Sequence, residues 1–229
     1  MREMAGSRYY ERQDLNMADY TELNHAVEIG KVKIVKELVN KLVEEGNAPK
    51  EILEEGLLPG MNAIGVKFKN NEVYVPEVLV AARAMNAGVA LLKPLMSSGE
   101  MAGAGTAVIG TIKGDLHDIG KNLVKMMLEG KGINVVDLGV DVSPERFVAE
   151  AKANNAQIIC CSALLTTTMG EMENVVKECE KEGIRDKVWI MVGGAPVTED
   201  FKNKIGADCY TPDAASAAEA ALAHLKSLN

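Results

Sequence analysis

The chain is 229 residues long, with 33 acidic and 25 basic side chains, a formal charge of −8, 47% apolar residues and only 4% aromatic ones. At about 150 residues per domain, this allows one large domain or two small ones. The acidic balance offers no broad positive field for nucleic acid or an anionic membrane surface. Apolar runs broken by charges fall short of the ~20 residues of a membrane span. Residues 1–16, rich in Arg, Glu, Asp and Tyr, lack the apolar core of a signal peptide. A cytoplasmic protein is therefore expected, with Cys160, Cys161, Cys179 and Cys209 kept as thiols.

From about residue 17 to 96 the apolar residues recur at helical spacing: Leu23 and Val27, then Ile34, Val35, Leu38, Val39, Leu42 and Val43. A break at Gly46-Asn47-Ala48-Pro49 starts a third helix, with Asn47 as its cap and Pro49 in its first turn. It runs through Ile52, Leu53 and Leu57, bends at Pro59-Gly60 and reaches Ile64 and Phe68. A fourth helix starts at Pro76 and stops before Pro94. Four such helices make a small bundle over 17–96, behind an extension of 1–16. The small-residue stretch 97–105 reads as a linker.

Beyond it the pattern changes. Short β-branched runs at 106–112, 134–138, 157–162, 188–192 and 208–211 alternate with helical patterns at 119–128, 144–153, 169–182, 199–205 and 214–228. This alternation predicts a doubly wound, five-stranded parallel sheet over 106–229, an α/β fold of Rossmann-like kind. Such sheets bind ligands beyond the carboxyl ends of their strands, so the loops after the first, third and fourth strands are the places to look for chemistry.

The loop after the first strand reads Lys113-Gly114-Asp115-Leu116-His117-Asp118-Ile119-Gly120-Lys121-Asn122. One reading is a metal-ligand histidine, His117, whose other ring nitrogen donates to Asp115, with Gly120 admitting a bulky group close to the backbone. The other is a histidine that satisfies a local hydrogen bond while Asp118 serves as a first-turn helix acid. Spacing alone leaves both open.

Asp115-x-His117-x-x-Gly120 is similar to the cobalamin-binding signature D-x-H-x-x-G, Ser162-Ala163-Leu164 to the S-x-L after the third strand, and Gly193-Gly194 to the G-G after the fourth. The helical half carries Gly60-Met61-Asn62-Ala63-Ile64-Gly65 and Tyr74-Val75-Pro76-Glu77, similar to the cap of the same family. From residue 17 onward the chain resembles the corrinoid methyl-carrier proteins of methylamine, methanol or aryl methyl ether methyltransferase systems, related to the cobalamin module of methionine synthase.

That resemblance implies a cobalamin cofactor with His117 as the lower cobalt ligand, Asp115 on its far ring nitrogen, and the Thr168 hydroxyl completing the relay where methionine synthase has serine. Asp118 joins the cofactor site. The displaced corrinoid tail enters a slot lined by Gly120, Ser162, Leu164, Thr166, Gly193 and Gly194. Tyr74 shields the upper face of the corrin, with Val78 and Met85 beside it, unless all three are bundle core. The linker 99–105 serves as the hinge of this lid. The implied function is a non-catalytic corrinoid subunit that accepts a methyl group on Co(I) from a substrate:corrinoid methyltransferase. It passes that group from methyl-Co(III) to a second methyltransferase acting on a folate, pterin or thiol, with a reductive activation protein as a further partner. A cobalamin-dependent regulator and the small subunit of a mutase are the competing classes. The first usually carries a DNA-binding module and an aromatic-rich cap, and the second usually lacks the helical cap.

Cys160 and Cys161, consecutive in a strand, are expected to be buried structural thiols on opposite faces. His25 and His224 read as surface or boundary residues, Trp189 as packing, the methionines as core filling, and the charges of 171–181 as a solvated helix face.

Overall fold

A computed structural model describes residues 19–96 and 103–228; the expected extension, 1–16, and residues 97–102 of the expected linker lie outside the described residues. The helical half comprises α1 (Thr21–Glu28), α2 (Val32–Glu44), α3 (Pro49–Glu51), a π-helical turn (Ile52–Leu57), α4 (Leu58–Lys69) and α5 (Val75–Leu92). Asn47, expected to cap α3, instead donates its side-chain amide to the Leu42 carbonyl at the end of α2, 2.9 Å away. Ala48 takes the cap position ahead of Pro49.

The expected bend at Pro59 takes the form of the π turn that precedes it. Pro59 has no N–H to give the Glu55 carbonyl one turn earlier. That carbonyl accepts from the Asn24 side chain of α1 at 3.0 Å, so the break in the helical ladder becomes a tie between helices. The α5 helix starts at Tyr74, whose N–H donates to the Glu77 carboxylate three residues on at 3.1 Å. With the 3-10 turn that follows it, α5 corrects one expectation: Val75–Leu95 is a 21-residue stretch long and apolar enough to cross a membrane. Within the fold that apolarity serves the bundle, since Val78, Ala81, Ala82, Ala84, Met85 and Leu92 are buried there.

The second half alternates strictly: β1 (Gly105–Thr111), α6 (Ile119–Glu129), β2 (Ile133–Asp137), α7 (Pro144–Ala153), β3 (Ile158–Ser162), α8 (Glu171–Lys181), β4 (Trp189–Gly193), α9 (Glu199–Ile205), β5 (Cys209–Tyr210) and α10 (Ala214–Ser227). Three of these helices start on side-chain caps, Ser143 for α7, Thr198 for α9 and Asp213 for α10. The sheet runs β2-β1-β3-β4-β5 with every pair parallel. From β1 the chain moves outward to β2 and then returns to the other side of β1 to form β3. The switch point therefore lies at the carboxyl ends of β1 and β3.

The two faces of the sheet belong to two cores. One joins Ile109, Cys160 and Met191 to α6, α10 and the helical bundle. The other joins Val108, Cys161 and Val192 to α7 and α8 around Phe147 and Met172. The bundle rests on α6 and α10. Met61 of α4 packs so closely over Gly130 that a Cβ there would collide with it, and Lys69 pairs with Glu219 of α10 at 2.6 Å.

Candidate functional site

The loop between β1 and α6 is tied down from several directions. The hydroxyl of Thr111, a fully buried residue, donates to the His117 carbonyl at 2.9 Å. Asp141, after β2, accepts the Gly114 N–H at 2.7 Å and donates its own N–H to the Asp115 carbonyl at 3.0 Å. The position of His117 is therefore set by backbone contacts that do not involve its ring.

Asp115 is completely enclosed. Its Oδ1 accepts the His117 N–H at 3.0 Å and lies 2.8 Å from His117 Nδ1. Its Oδ2 accepts the N–H groups of Leu164 and Leu165, at 2.8 and 3.2 Å, and the Thr168 hydroxyl at 2.9 Å. Burial by itself pushes the Asp115 carboxyl up, but these donors outweigh it and hold the group well below the usual carboxylate range. An ionised carboxylate only accepts, so Nδ1 carries a proton, and in the neutral imidazole the lone pair is then on Nε2. The imidazole is 51% exposed, and Leu116, Ile119, Leu164 and Leu165 around the same loops are exposed as well. A ring nitrogen able to ligate a metal, amid uncovered apolar side chains, suits a flat, largely apolar ligand.

Beside this loop a cavity of about 370 Å³ opens between the sheet and helices α6 and α10. Gly120, Ser162, Gly193 and Gly194 form part of its wall. The two consecutive glycines have different reasons to be glycine. At Gly194 φ is +129°, and a Cβ would collide with the Ala163 carbonyl. At Gly193, as at Gly120, a Cβ would meet nothing within 4 Å. These two positions keep space open, whereas Gly194 satisfies the backbone.

The structure thus brings together His117, Asp115 and Thr168, and places Gly120, Ser162, Gly193 and Gly194 on one cavity. Leu164 and Thr166, expected beside them, are not part of that cavity's lining. The chain leaving β3 is drawn toward Asp115 through the Leu164 and Leu165 N–H groups, and both side chains end up exposed. Asp118 sits at the start of α6, where its carboxylate accepts from Asn122 at 3.0 Å and caps no backbone N–H. Val78 and Met85 are buried within the bundle core, so of the three suggested shielding residues only Tyr74, 69% exposed at the start of α5, is free to meet a ligand.

Sequence reasoning missed Lys121, buried and paired with Asp137 at 2.6 Å. It also missed Cys160, Met191, Thr211 and Asp213 in the cavity wall, which only strand register and helix docking reveal. All four cysteines are free thiols, with Cys160 and Cys161 in separate cores. Burial pushes Cys160 up to about 12, so neither thiol of that pair is primed for reaction. Trp189 is packing, as expected. His224 proves to be its partner, stacked on the indole at 4.4 Å between ring centres.

Comparison with known proteins agrees with this geometry. Two models described as B12 binding domains match residues 20–93 and 105–222. The dimethylamine corrinoid protein of Methanosarcina barkeri is 46% identical over 80% of this chain and 87% of that protein. Trimethylamine corrinoid protein 1 of Methanosarcina acetivorans is 45% identical over 78% of this chain and 83% of that protein. A chain of the methanol:cobalamin methyltransferase complex of Methanosarcina barkeri superposes with a TM-score of 0.83 at 30% identity, covering 90% of this chain and 79% of that one. With B12-binding models over both halves and such relatives across its length, the chain belongs to the B12-binding corrinoid proteins of the methylamine and methanol methyltransferase systems.

Proposed function

We propose that this corrinoid protein carries the methyl group of a methylated amine from a substrate:corrinoid methyltransferase to a second methyltransferase, whose acceptor is a folate, a pterin or a thiol. The observation that carries the reading is His117, half-exposed beside the open cavity, with Nδ1 held 2.8 Å from the enclosed Asp115. The amine is favoured over methanol by degree of likeness. The relatives named for dimethylamine and trimethylamine are 46% and 45% identical, against 30% for the chain of the methanol complex.

Bound here, the corrinoid supplies a cobalt centre that takes up a methyl group as a nucleophile and gives it up to an acceptor. His117 would hold the cobalt through Nε2, while Asp115 keeps the proton on Nδ1 and fixes the tautomer. Thr168 and the Leu164 and Leu165 N–H groups hold Asp115 ionised and immobile. Gly120, Ser162, Gly193 and Gly194 would wall the space for the corrinoid tail, and the exposed Tyr74 would be the bundle residue that shields the bound group. A reductive activation protein completes the set of partners, because a cobalt centre used as a nucleophile must be returned to its reduced state after oxidation.

The test mixes the reduced holo-protein with separate amine and methanol methyltransferases and their substrates, following the cobalt absorption. A spectral change only with an amine enzyme is expected. A change only with the methanol enzyme overturns the amine reading, and no change with any enzyme overturns the carrier reading. His117→Gly is expected to lose the absorption of nitrogen-ligated cobalt, and an unaltered spectrum would remove His117 from the ligand role.

A further inference from the structure

The cavity between the sheet and α6 and α10 has two levels. Its mouth lies at the strand ends and first helical turns, where Ser162, Lys121, Thr211 and Asp213 supply polar side chains. Three of these are already engaged, Thr211 through its hydroxyl, which donates to the Asp213 carbonyl at 3.4 Å. Lys121 donates to Asp137 and Asn122 at 2.6 and 2.7 Å, and Asp213 accepts the N–H and hydroxyl of Ser216, both at 2.8 Å. One helical turn or two strand residues further in, the wall is Ile109, Cys160 and Met191 from the sheet, Leu123 and Val124 from α6, and Ala217 from α10.

Ile109, Cys160 and Met191 occupy one register row across β1, β3 and β4, so their side chains share a face and form a continuous floor. The Cys160 and Met191 sulfurs lie 4.0 Å apart. Polarisable sulfur is a good surface for an aromatic ring and a poor hydrogen-bond partner. The backbone of the three floor strands is committed to the parallel ladder. The inner level therefore offers a ring wide apolar contact and almost nothing to bond.

We infer that this Cys160–Met191 floor makes the chain selective for the base on the corrinoid tail, favouring a benzimidazole-type bicycle over a purine. The inference rests on the reading that the tail occupies this cavity. A benzimidazole presents mainly carbon to the floor. Adenine brings an exocyclic amino group and extra ring nitrogens, which leave water and find no partner among these side chains. Discrimination of this kind comes from polar groups of the rejected ligand left unpaired, as much as from contacts to the preferred one.

The test titrates the cofactor-free full chain with three corrinoids: one with a dimethylbenzimidazole tail, one with an adenine tail, and cobinamide, which has no tail base. Binding is read by ultrafiltration, and histidine ligation by the cobalt absorption. The benzimidazole form is expected to bind at least about tenfold more tightly than the adenine form, the range expected for one buried unpaired polar group. Met191→Gln, nearly the same shape with a donor and an acceptor added, is expected to narrow that gap by weakening the first and strengthening the second. Equal or tighter binding of the adenine form to the unaltered chain overturns the inference. So does cobinamide binding as tightly as both, which would also show that the tail makes no use of the cavity. If all three fail to bind, the placement of the corrinoid falls, and the selectivity with it.

Discussion

Cys160 and Cys161 are neighbours in one strand, yet the faces of the sheet they enter are built on opposite terms. Cys161 faces α7 and α8, where Phe147, Val148, Met172 and Val175 close the space. Phe147 lies so near Gly110 that a Cβ on that glycine would collide with the ring. Cys160 faces α6 and α10, which line this side with Leu123 and Val124 but also with Gly120, Ala214 and Ala217, and a cavity of about 370 Å³ remains. Both faces consist of β-branched and sulfur-containing strand residues. The difference lies in the helices laid over them, since small side chains on one pair leave room that large ones on the other fill. One face supplies stability and the other keeps room for a ligand.

That contrast can be broken most directly at Phe147. Replacement by Ala is expected to cost about 3–5 kcal/mol in urea or guanidinium unfolding; a loss below ~1 kcal/mol would mean the packed face collapses to fill the gap. Asp115→Ala leaves the N–H groups of Leu164 and Leu165 and the Thr168 hydroxyl without their acceptor. It is expected to cost about 3 kcal/mol and to abolish histidine ligation of the corrinoid.

The same residue sets a pH dependence. Because its folded carboxyl is held below the unfolded value, its stabilisation is complete above the ordinary aspartate pKa of about 3.9 and is lost as pH falls toward the folded value. Denaturant midpoints measured downward from pH 5 should fall more steeply for the unaltered chain than for Asp115→Asn. Parallel curves would remove Asp115 as the cause.

The glycine pair sharpens the comparison within a single site. Gly194→Ala is expected to cost about 2 kcal/mol, because its φ and the Ala163 carbonyl both oppose a side chain. Gly193→Ala should change stability by less than ~1 kcal/mol, and equal losses in thermal melts would contradict the distinction. The smallest expected effect on the fold has the opposite sign. Gly120→Leu, in the first turn of α6 with open space before it, should raise the stability of the cofactor-free chain by about 0.5 kcal/mol through helix propensity. It should also weaken corrinoid retention by filling the cavity, and unweakened retention would show that this wall is not used.

Much of the second half is legible in the sequence because its signals are local. Helices expected at 144–153 and 199–205 occur as Pro144–Ala153 and Glu199–Ile205, each starting one residue after a capping Ser143 or Thr198. The Asp115–His117 pair is legible for the same reason, since two residues of spacing suffice for a side chain to reach both the backbone and the ring. Long-range placement was not legible. Leu164 and Thr166 were expected in the cavity wall, but the turn after β3 is governed by Asp115, some fifty residues earlier. Val78 and Met85 carry the apolar spacing of α5, and spacing alone does not say whether such a stripe meets other helices or a ligand.

By itself the sequence determined the alternation of strands and helices, the loop that holds His117, and the glycines at the strand ends beside it, because periodicity, caps and turn spacing act over a few residues. Only the tertiary structure decided which of those residues meet. Strand register put Cys160 beside Met191, small residues on α6 and α10 left the cavity open, and the bundle docked onto those two helices with Val78 and Met85 inside it. These outcomes depend on contacts between segments distant in the chain, whose free energy is set by the shapes of both partners.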